Sequence, residues 1–547
     1  MQIPQRLHAA GGAAGKLAAR ASVEGQSALS LLRAGAFGLE PPQRLVRALQ
    51  AFRAYGPAGA ALAVACQRQP QATAIIDDAG SVSFTELDRQ ASLLAGALAD
   101  RGLTAGDGLG LMCRNHRGMF IALFAAAKLG SRTVLLNTDF AGPQLADVCQ
   151  REGIRLLVHD QEFSAAAEAC VPELGTVLSW LDEPSATGDS IDSLVASSRP
   201  RPLPRPARTQ QLVLLTSGTT GTPKGAAREF GMSLAIPGGY LSKIGLRANR
   251  RVYIAVPVFH AWGLLSSVIA LALADTLVLA RRAEPAAVAA TLAEQQCDAL
   301  ITVPILLARL LTALEADRRS LPSLRVVAVS GSALPAQLAV RTRKQLGDVL
   351  HNLYGSTEVA YASIATPADL AAAPGCVGRP PLGTTVRLLD PDGNPVPAGQ
   401  TGRVFVGNSI QFAGYTGGGS KEQVAGLMST GDLGHFDSEG RLFIDGRDDD
   451  MIVSGGENVF PGEIEDLLAG HAGIVEAAVV AVDDPDFGHR LRAFVVRAEQ
   501  SALDVDAVRD YVRAHLARYK VPRDVVFLAE LPRNPAGKVI KRELPRD

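Results

Sequence analysis

QLVLLTSGTTGTPKG, residues 211–225, is the stretch that decides how this chain is read. Its first half, Leu212 to Leu215, is an apolar run of strand length. Its second half sets Gly218, Gly221 and Gly225 among the hydroxyls of Thr216, Ser217, Thr219, Thr220 and Thr222, with the ammonium of Lys224 near the end. Glycines let backbone N–H groups turn toward a ligand, and hydroxyls with one cation beside them suit an anionic polyphosphate. The loop is not of the Walker A kind. Pro223 stands where a glycine precedes the lysine, and Gly225 replaces the Ser or Thr that should follow it.

Outward from this loop the chain alternates helical stretches with short apolar runs. SFTELDRQASLLAGALADRG is followed by GLGLMC, then FIALFAAAKLG, then RTVLLN. Beyond the loop, VYIAVPVF, TLVLA, ALITVP, LRVVAVSG and VLHNLYG continue the pattern. Such alternation is the signature of βαβ units on a largely parallel sheet. Residues 184–208 are rich in Pro, Ser and Arg and read as an exposed connector. From Gly383 the texture changes to short β runs and turns, with DPDGN as a turn signal. A last unit, from about Arg447, reads as a small α+β domain.

Composition sets the outer limits. With 547 residues, 47% hydrophobic and 20% charged, the chain excludes a disordered or fibrous protein. The balance of 54 Lys+Arg against 55 Asp+Glu excludes a dedicated nucleic-acid binder. The six cysteines are scattered without a CxxC pair, so reduced thiols and no zinc site are expected, and with them a cytoplasmic location. Val252 to Ala274 carries no formal charge and is long enough to span a bilayer. Pro257, His260 and Gly263 interrupt it, so a strand, a loop and a core helix are expected instead. Residues 1–55 carry Arg6, Lys16, Arg20, Arg33, Arg44, Arg47 and Arg53 against Glu24 and Glu40. A pair of helices packed on the main body is expected there; the alternative is a basic amphipathic segment lying peripherally on a membrane.

Further motifs follow in order: Phe259-His260-Ala261-Trp262-Gly263, Ser330-Gly331-Ser332-Ala333-Leu334-Pro335, Tyr354-Gly355-Ser356-Thr357-Glu358, Thr430-Gly431-Asp432, Gly446-Arg447-Asp448-Asp449-Asp450, Ser454-Gly455-Gly456-Glu457-Asn458 and Pro532-Arg533-Asn534-Pro535-Ala536-Gly537-Lys538. With the 216–225 loop, this ordered set resembles the adenylate-forming superfamily, and within it the fatty-acid–CoA ligase kind of acyl-CoA synthetase. The resemblance implies an α/β fold. A large N-terminal domain with mixed and parallel sheets and a β-rich subdomain (58–446) would follow a basic helical extension (1–57) and precede a small mobile α+β lid (447–547).

It also implies roles. The 216–225 loop, with Lys224, would hold the β and γ phosphates of ATP, and Glu358 would bind Mg²⁺, an ion that favours one or two carboxylates plus phosphates. Gly331, Ser332, Ala333 and Tyr354 would sandwich adenine, with Asn352 near its amino group and Gly355, Ser356 and Thr357 beside the nucleotide. Asp432 would take the ribose hydroxyls, and Arg447 would reach the ribose or the phosphate. Lys538 would bridge carboxylate and α-phosphate during adenylation, and Asp449 would be the hinge. Ser454, Gly455, Gly456 and Glu457 would line a coenzyme A tunnel, and His260 would gate the acyl and CoA channels. His260 leaves no anion where amino-acid-activating relatives place an aspartate, so the expected partner is another small-molecule carboxylic acid, a medium- or long-chain fatty acid before an aryl acid. Two departures bear on that substrate: Leu427-Met428 stands before the Thr-Gly-Asp motif where many relatives have an aromatic pair, and Gly402-Arg403-Val404 replaces a commoner Gly-Glu-Leu. The rivals are a fatty acyl-AMP ligase delivering to a carrier protein and a catalytically silent binding homologue. The oligomeric state is left open, a homodimer being the form considered.

Overall fold

The structure is a computed structural model. It describes the chain apart from residues 1–4, 37–41, 184–187, 217–223, 229–230, 232, 413, 417, 449–451, 455–456, 485–487, 500, 536 and 546–547. Two helices come first, α1 (Gln5–Ala34) and α2 (Pro42–Arg68), the second kinked where Gly56 takes φ 72° ahead of Pro57. Both pack on the body, α1 against the helix Ala235–Lys243 and α2 against the helix Ala261–Ala272.

The body holds two α/β sheets. One has eight strands in the order Ser363–Ala365, Leu350–Tyr354, Val326–Val329, Ala299–Thr302, Arg251–Ile254, Thr276–Val278, Thr73–Asp77 and Gly80–Ser83. Its inner strands pair in parallel, and only the two edge strands run antiparallel. The other has six strands, and the strand Gln211–Thr216 pairs in parallel with Arg132–Leu135 and antiparallel with Lys224–Arg228. The alternating pattern of the sequence is therefore a parallel-sheet pattern, and the inner strands are buried on both faces as such sheets require. The core between the sheets gathers Phe84, Phe120, Phe124, Tyr240 and Ile269. A third, five-stranded antiparallel sheet carries the strands Leu427–Phe436 and Leu442–Arg447.

From Ile452 onward a hairpin, the helices Pro461–Ala469 and Val505–His515, and the sheet of Ile474–Asp484, Gly488–Arg497 and Asp524–Leu528 make a small unit. It has its own core around Ile464, Leu468, Val479, Leu491 and Val512. This is the α/β body with an α+β C-terminal part that the motif order implies.

Two expectations need correction. Cys149 and Cys170 are paired as a disulfide, their Cα atoms 6.4 Å apart, so the six thiols are not all free. The connector 184–208 contains a helix, Ile191–Ser197, started by a capping box in which Ser190 and Ser193 bond each other's backbone N–H. Local capping won over composition there. Val252 to Ala274 does resolve into strand, loop and helix, and no described helix is long and apolar enough to cross a membrane.

Candidate active site

The inner strands of the eight-stranded sheet end on a common edge, the place where open α/β sheets bind ligands. Tyr354 closes the strand Leu350–Tyr354, with Asn352 buried two residues before it, and Ser330–Gly331 follows the neighbouring strand. A single cavity of about 3250 Å³ opens at this edge, lined among others by Ser332, Ala333, Asn352, Tyr354, Glu358, Asp432, Arg447, His260, Lys224 and Lys538.

Asp432 and Arg447 face each other across paired antiparallel strands, with an Arg447 guanidinium nitrogen 3.7 Å from a carboxylate oxygen. The Tyr354 hydroxyl donates to Asp432 at 2.5 Å, and its oxygen lies 3.1 Å from the Thr430 hydroxyl. Burial pushes the Asp432 carboxyl above the usual carboxylate range, against the opposing pull of the Tyr354 hydroxyl, Arg447 and Lys538. Burial, with the neighbouring Asp432 charge, also drives the Tyr354 phenol well above its ordinary value. This is a partly buried, hydrogen-bonded acceptor suited to hydroxyl donors such as those of a ribose.

The strands Gln211–Thr216 and Lys224–Arg228 bring Thr216 opposite Lys224 as the two ends of a hairpin. Ser217, Gly218, Thr219, Thr220 and Gly221 lie outside the described residues. Lys224 Nζ is 5.3 Å from the centre of the Tyr415 ring, and the Tyr415 hydroxyl donates to Glu358 Oε1 at 2.8 Å. Tyr415 thus stands between Lys224 and the expected metal ligand Glu358. Among the described residues no cluster of three metal-ligating side chains forms. One carboxylate, oriented by a phenol and open to a cavity with cations around it, fits Mg²⁺ held mainly by the substrate's phosphates.

Lys538 is carried by a tight turn. The Asn534 side chain accepts from the Lys538 N–H at 2.9 Å, Asn534 N–H donates to the Lys538 carbonyl at 2.9 Å, and a bridge joins Arg533 to Val539. Arg533 is tied to Glu476 at 2.8 Å, which fixes the turn to its own unit, while Gly537 abuts Ile305 of the body. The turn therefore delivers Lys538 to the same cavity as Glu358 and Asp432. Ser454 pairs with Glu457 between the short antiparallel strands Ile452–Ser454 and Glu457–Val459. Gly455, Gly456 and Asp449 lie outside the described residues.

His260 precedes the helix Ala261–Ala272 as its N-cap residue, its ring centroid 4.4 Å from that of Phe259. Burial lowers it to about 4, and its Nε2 is buried without a hydrogen-bond partner among the described residues. It is neutral at pH 7. Trp262 donates its indole N–H to the Thr302 carbonyl at 3.0 Å, which locks the first turn of the helix to the sheet edge.

Sequence reading missed several members of this cavity, Tyr415 and Lys421 among them. Tyr415 and Lys421 both line it, and a Cβ at Gly431 would lie 3.3 Å from an Arg447 nitrogen and 3.7 Å from Lys421 Nζ. Neither sits in one of the motifs, and only folding brings them to the site.

The chain belongs to the AMP-binding enzyme family: the family's model matches residues 62–416, and that of its C-terminal domain matches 463–538. It is an adenylate-forming acid–CoA ligase, and the cofactors of this class are ATP, Mg²⁺ and coenzyme A. It is similar to an indoleacetate–CoA ligase of Aromatoleum aromaticum, 33% identical over 87% of this chain and 95% of the relative. It is also similar to a fatty acid–[acyl-carrier-protein] ligase of Streptomyces coeruleorubidus, 30% identical over 87% of this chain and 94% of the relative. Among solved structures it resembles an o-succinylbenzoate–CoA synthetase of Bacillus subtilis in complex with its acyl-adenylate intermediate, at a TM-score of 0.78 and 26% identity, covering 88% of this chain and 97% of that one.

Proposed function

We propose that this enzyme activates a lipophilic carboxylic acid, a fatty acid of medium or long chain, as its acyl-adenylate and then transfers the acyl group to coenzyme A. The observation that carries this reading is the meeting, in one cavity, of Lys538, Asp432 and Glu358 with the apolar helix Ala261–Ala272. In the first half-reaction a carboxylate oxygen attacks the α-phosphorus of ATP, and the bond to pyrophosphate breaks. Negative charge builds on both sides of that bond, and preorganised cations are the main lever for such a transfer. Lys538 would neutralise the carboxylate and α-phosphate, Lys224 the departing phosphates, and Asp432 with Arg447 would fix the ribose. Mg²⁺, when bound, supplies further charge neutralisation at the phosphates, held on the protein side by Glu358.

In the second half-reaction the CoA sulfur attacks the acyl carbonyl and AMP leaves with the bonding pair. A neutral His260 beside the acyl entrance suits a gate and not a proton carrier. We place the body of the enzyme at 58–446 and a lid at 447–547, with Asp449 as the point about which it turns and the 454–457 hairpin beside the pantetheine path. An aryl acid is the second reading, favoured by the indoleacetate–CoA ligase at 33% identity. A carrier-protein acceptor is the third, favoured by the fatty acid–[acyl-carrier-protein] ligase at 30%. Pyrophosphate release across straight-chain and aryl acids, with and without CoA, tests all of these. Release with fatty acids and a CoA thioester as product is expected. Acyl-AMP without acyl-CoA would move the acceptor to a carrier protein.

A further inference from the structure

The cavity does not end at the reacting groups. Its lining continues along the whole helix Ala261–Ala272, roughly 18 Å at 1.5 Å per residue, through Ala261, Leu265, Val268 and Ala272. Those positions recur at helical spacing and form one stripe. Across the same space, α1 presents Gly25, Ala28, Leu29 and Leu32, and α2 presents Leu45, Ala48, Leu49 and Phe52. Each set falls at i, i+3, i+4 and i+7, so each helix turns one apolar face to the cavity.

These two helices are not loosely attached. The Glu24 carboxylate accepts from the Ser233 hydroxyl at 2.6 Å and from the Leu234 N–H at 2.8 Å. Gly238 lies so close to α1 that a Cβ there would meet Ser27 at 2.4 Å. The Ala248 N–H donates to the Ala34 carbonyl at 2.8 Å. On the packed side Leu31 and Ala34 are buried, yet Leu29, Leu32, Leu45 and Leu49 are each about half exposed. Half-exposed leucines that recur along two helices packed on the body mark a surface that something apolar covers. The family match begins at residue 62, so the wall residues 25–52 lie ahead of the matched segment.

We propose that α1 and α2 complete an acyl channel, and that its occupant is the hydrocarbon tail of the acid whose carboxylate reacts near Lys538. The proposal takes from the functional reading only that the cavity receives a lipophilic acid. A tail is favoured over a membrane surface because the stripe is continuous with the reactive end through the helix Ala261–Ala272. The channel lets a long chain reach past that helix to the half-exposed leucines, and it makes α1 and α2 the determinant of chain length.

The test uses the full chain with Ala48→Trp, which fills the middle of the channel, and Leu49→Asp, a half-exposed position that tolerates a polar group in the fold. Pyrophosphate release is measured with butanoate, octanoate and hexadecanoate, and displacement of a fluorescent long-chain fatty acid is measured without ATP. In both variants the ratio of kcat/KM for hexadecanoate to that for butanoate is expected to fall at least tenfold, with a matching loss of the fluorescent acid. An unchanged ratio across chain lengths overturns the channel. So does binding of the full chain to anionic vesicles that Leu49→Asp abolishes while the chain-length profile stays as in the parent. Release with aryl or short acids but none with long ones overturns the channel and leaves acid activation standing. Displacement that weakens in Ala48→Trp, with no release from any acid, keeps the channel and removes the activation reading.

Discussion

One cavity has two unlike ends. At the end around Lys538, charged and hydroxyl groups arrive from separate loops, and each is held by a specific partner: Asp432 by Tyr354, Glu358 by Tyr415, Lys538 by the Asn534 turn. At the far end three helices line the cavity with apolar side chains at helical spacing. The difference teaches where each kind of function resides. Phosphoryl chemistry demands particular groups at particular points, whereas holding a hydrocarbon demands volume and dryness.

Substitutions can break this comparison. The largest effect is expected from Lys538→Ala, which should slow acyl-AMP formation by about 10³-fold for every acid, whatever its tail. Thioester formation from supplied acyl-AMP should stay within tenfold of the parent. Half-reaction kinetics check this, and equal loss of both steps would place Lys538 outside adenylation alone. A dependence of the defect on chain length would blur the two ends.

Next in size is a stability effect at the junction. His260 falls from 6.5 to about 4 in the folded protein, so the fold favours its neutral form. That contribution is complete above about pH 6.5 and is lost as the pH falls through about 4. Wild type should therefore lose about 3 kcal/mol more than His260→Asn across that interval. Urea unfolding at pH 7 and pH 4 measures it, and parallel pH profiles in the two proteins would refute it. Adenylation above pH 6.5 should show no titration belonging to His260.

Tyr415→Phe removes the donor to Glu358. The Mg²⁺ concentration for half-maximal velocity should rise about 10–100-fold, as when a metal ligand loses its orienting partner. A Mg²⁺ titration with an unchanged midpoint would detach Glu358 from the metal. Smallest is Tyr354→Phe, which takes one charge-assisted bond from Asp432 and should raise KM for ATP about tenfold while sparing discrimination among acids. Steady-state kinetics with two acids of different length decide it.

The sequence alone carried the α/β alternation, the nucleotide-end motifs and their order, because period, glycine turns and chemistry-bound residue types survive in one dimension. It also located Asp432 and Arg447, which proved to be cross-strand partners, and Trp262 at the head of a buried helix. It did not carry Tyr415 or Lys421, since an isolated Tyr or Lys looks the same in a loop as at a site. The Ser190 capping box was hidden by a Pro- and Ser-rich setting, and the Cys149–Cys170 pair by a separation of 21 residues that only folding closes. Residues 1–55 could be read as amphipathic helices, but amphipathicity does not say what an apolar face meets. Leu29 and Leu49 stand more than two hundred residues before Leu265, and a hydrophobic stripe is non-directional. Which stripe faces which cavity was decided by the tertiary packing of α1 and α2 on the body.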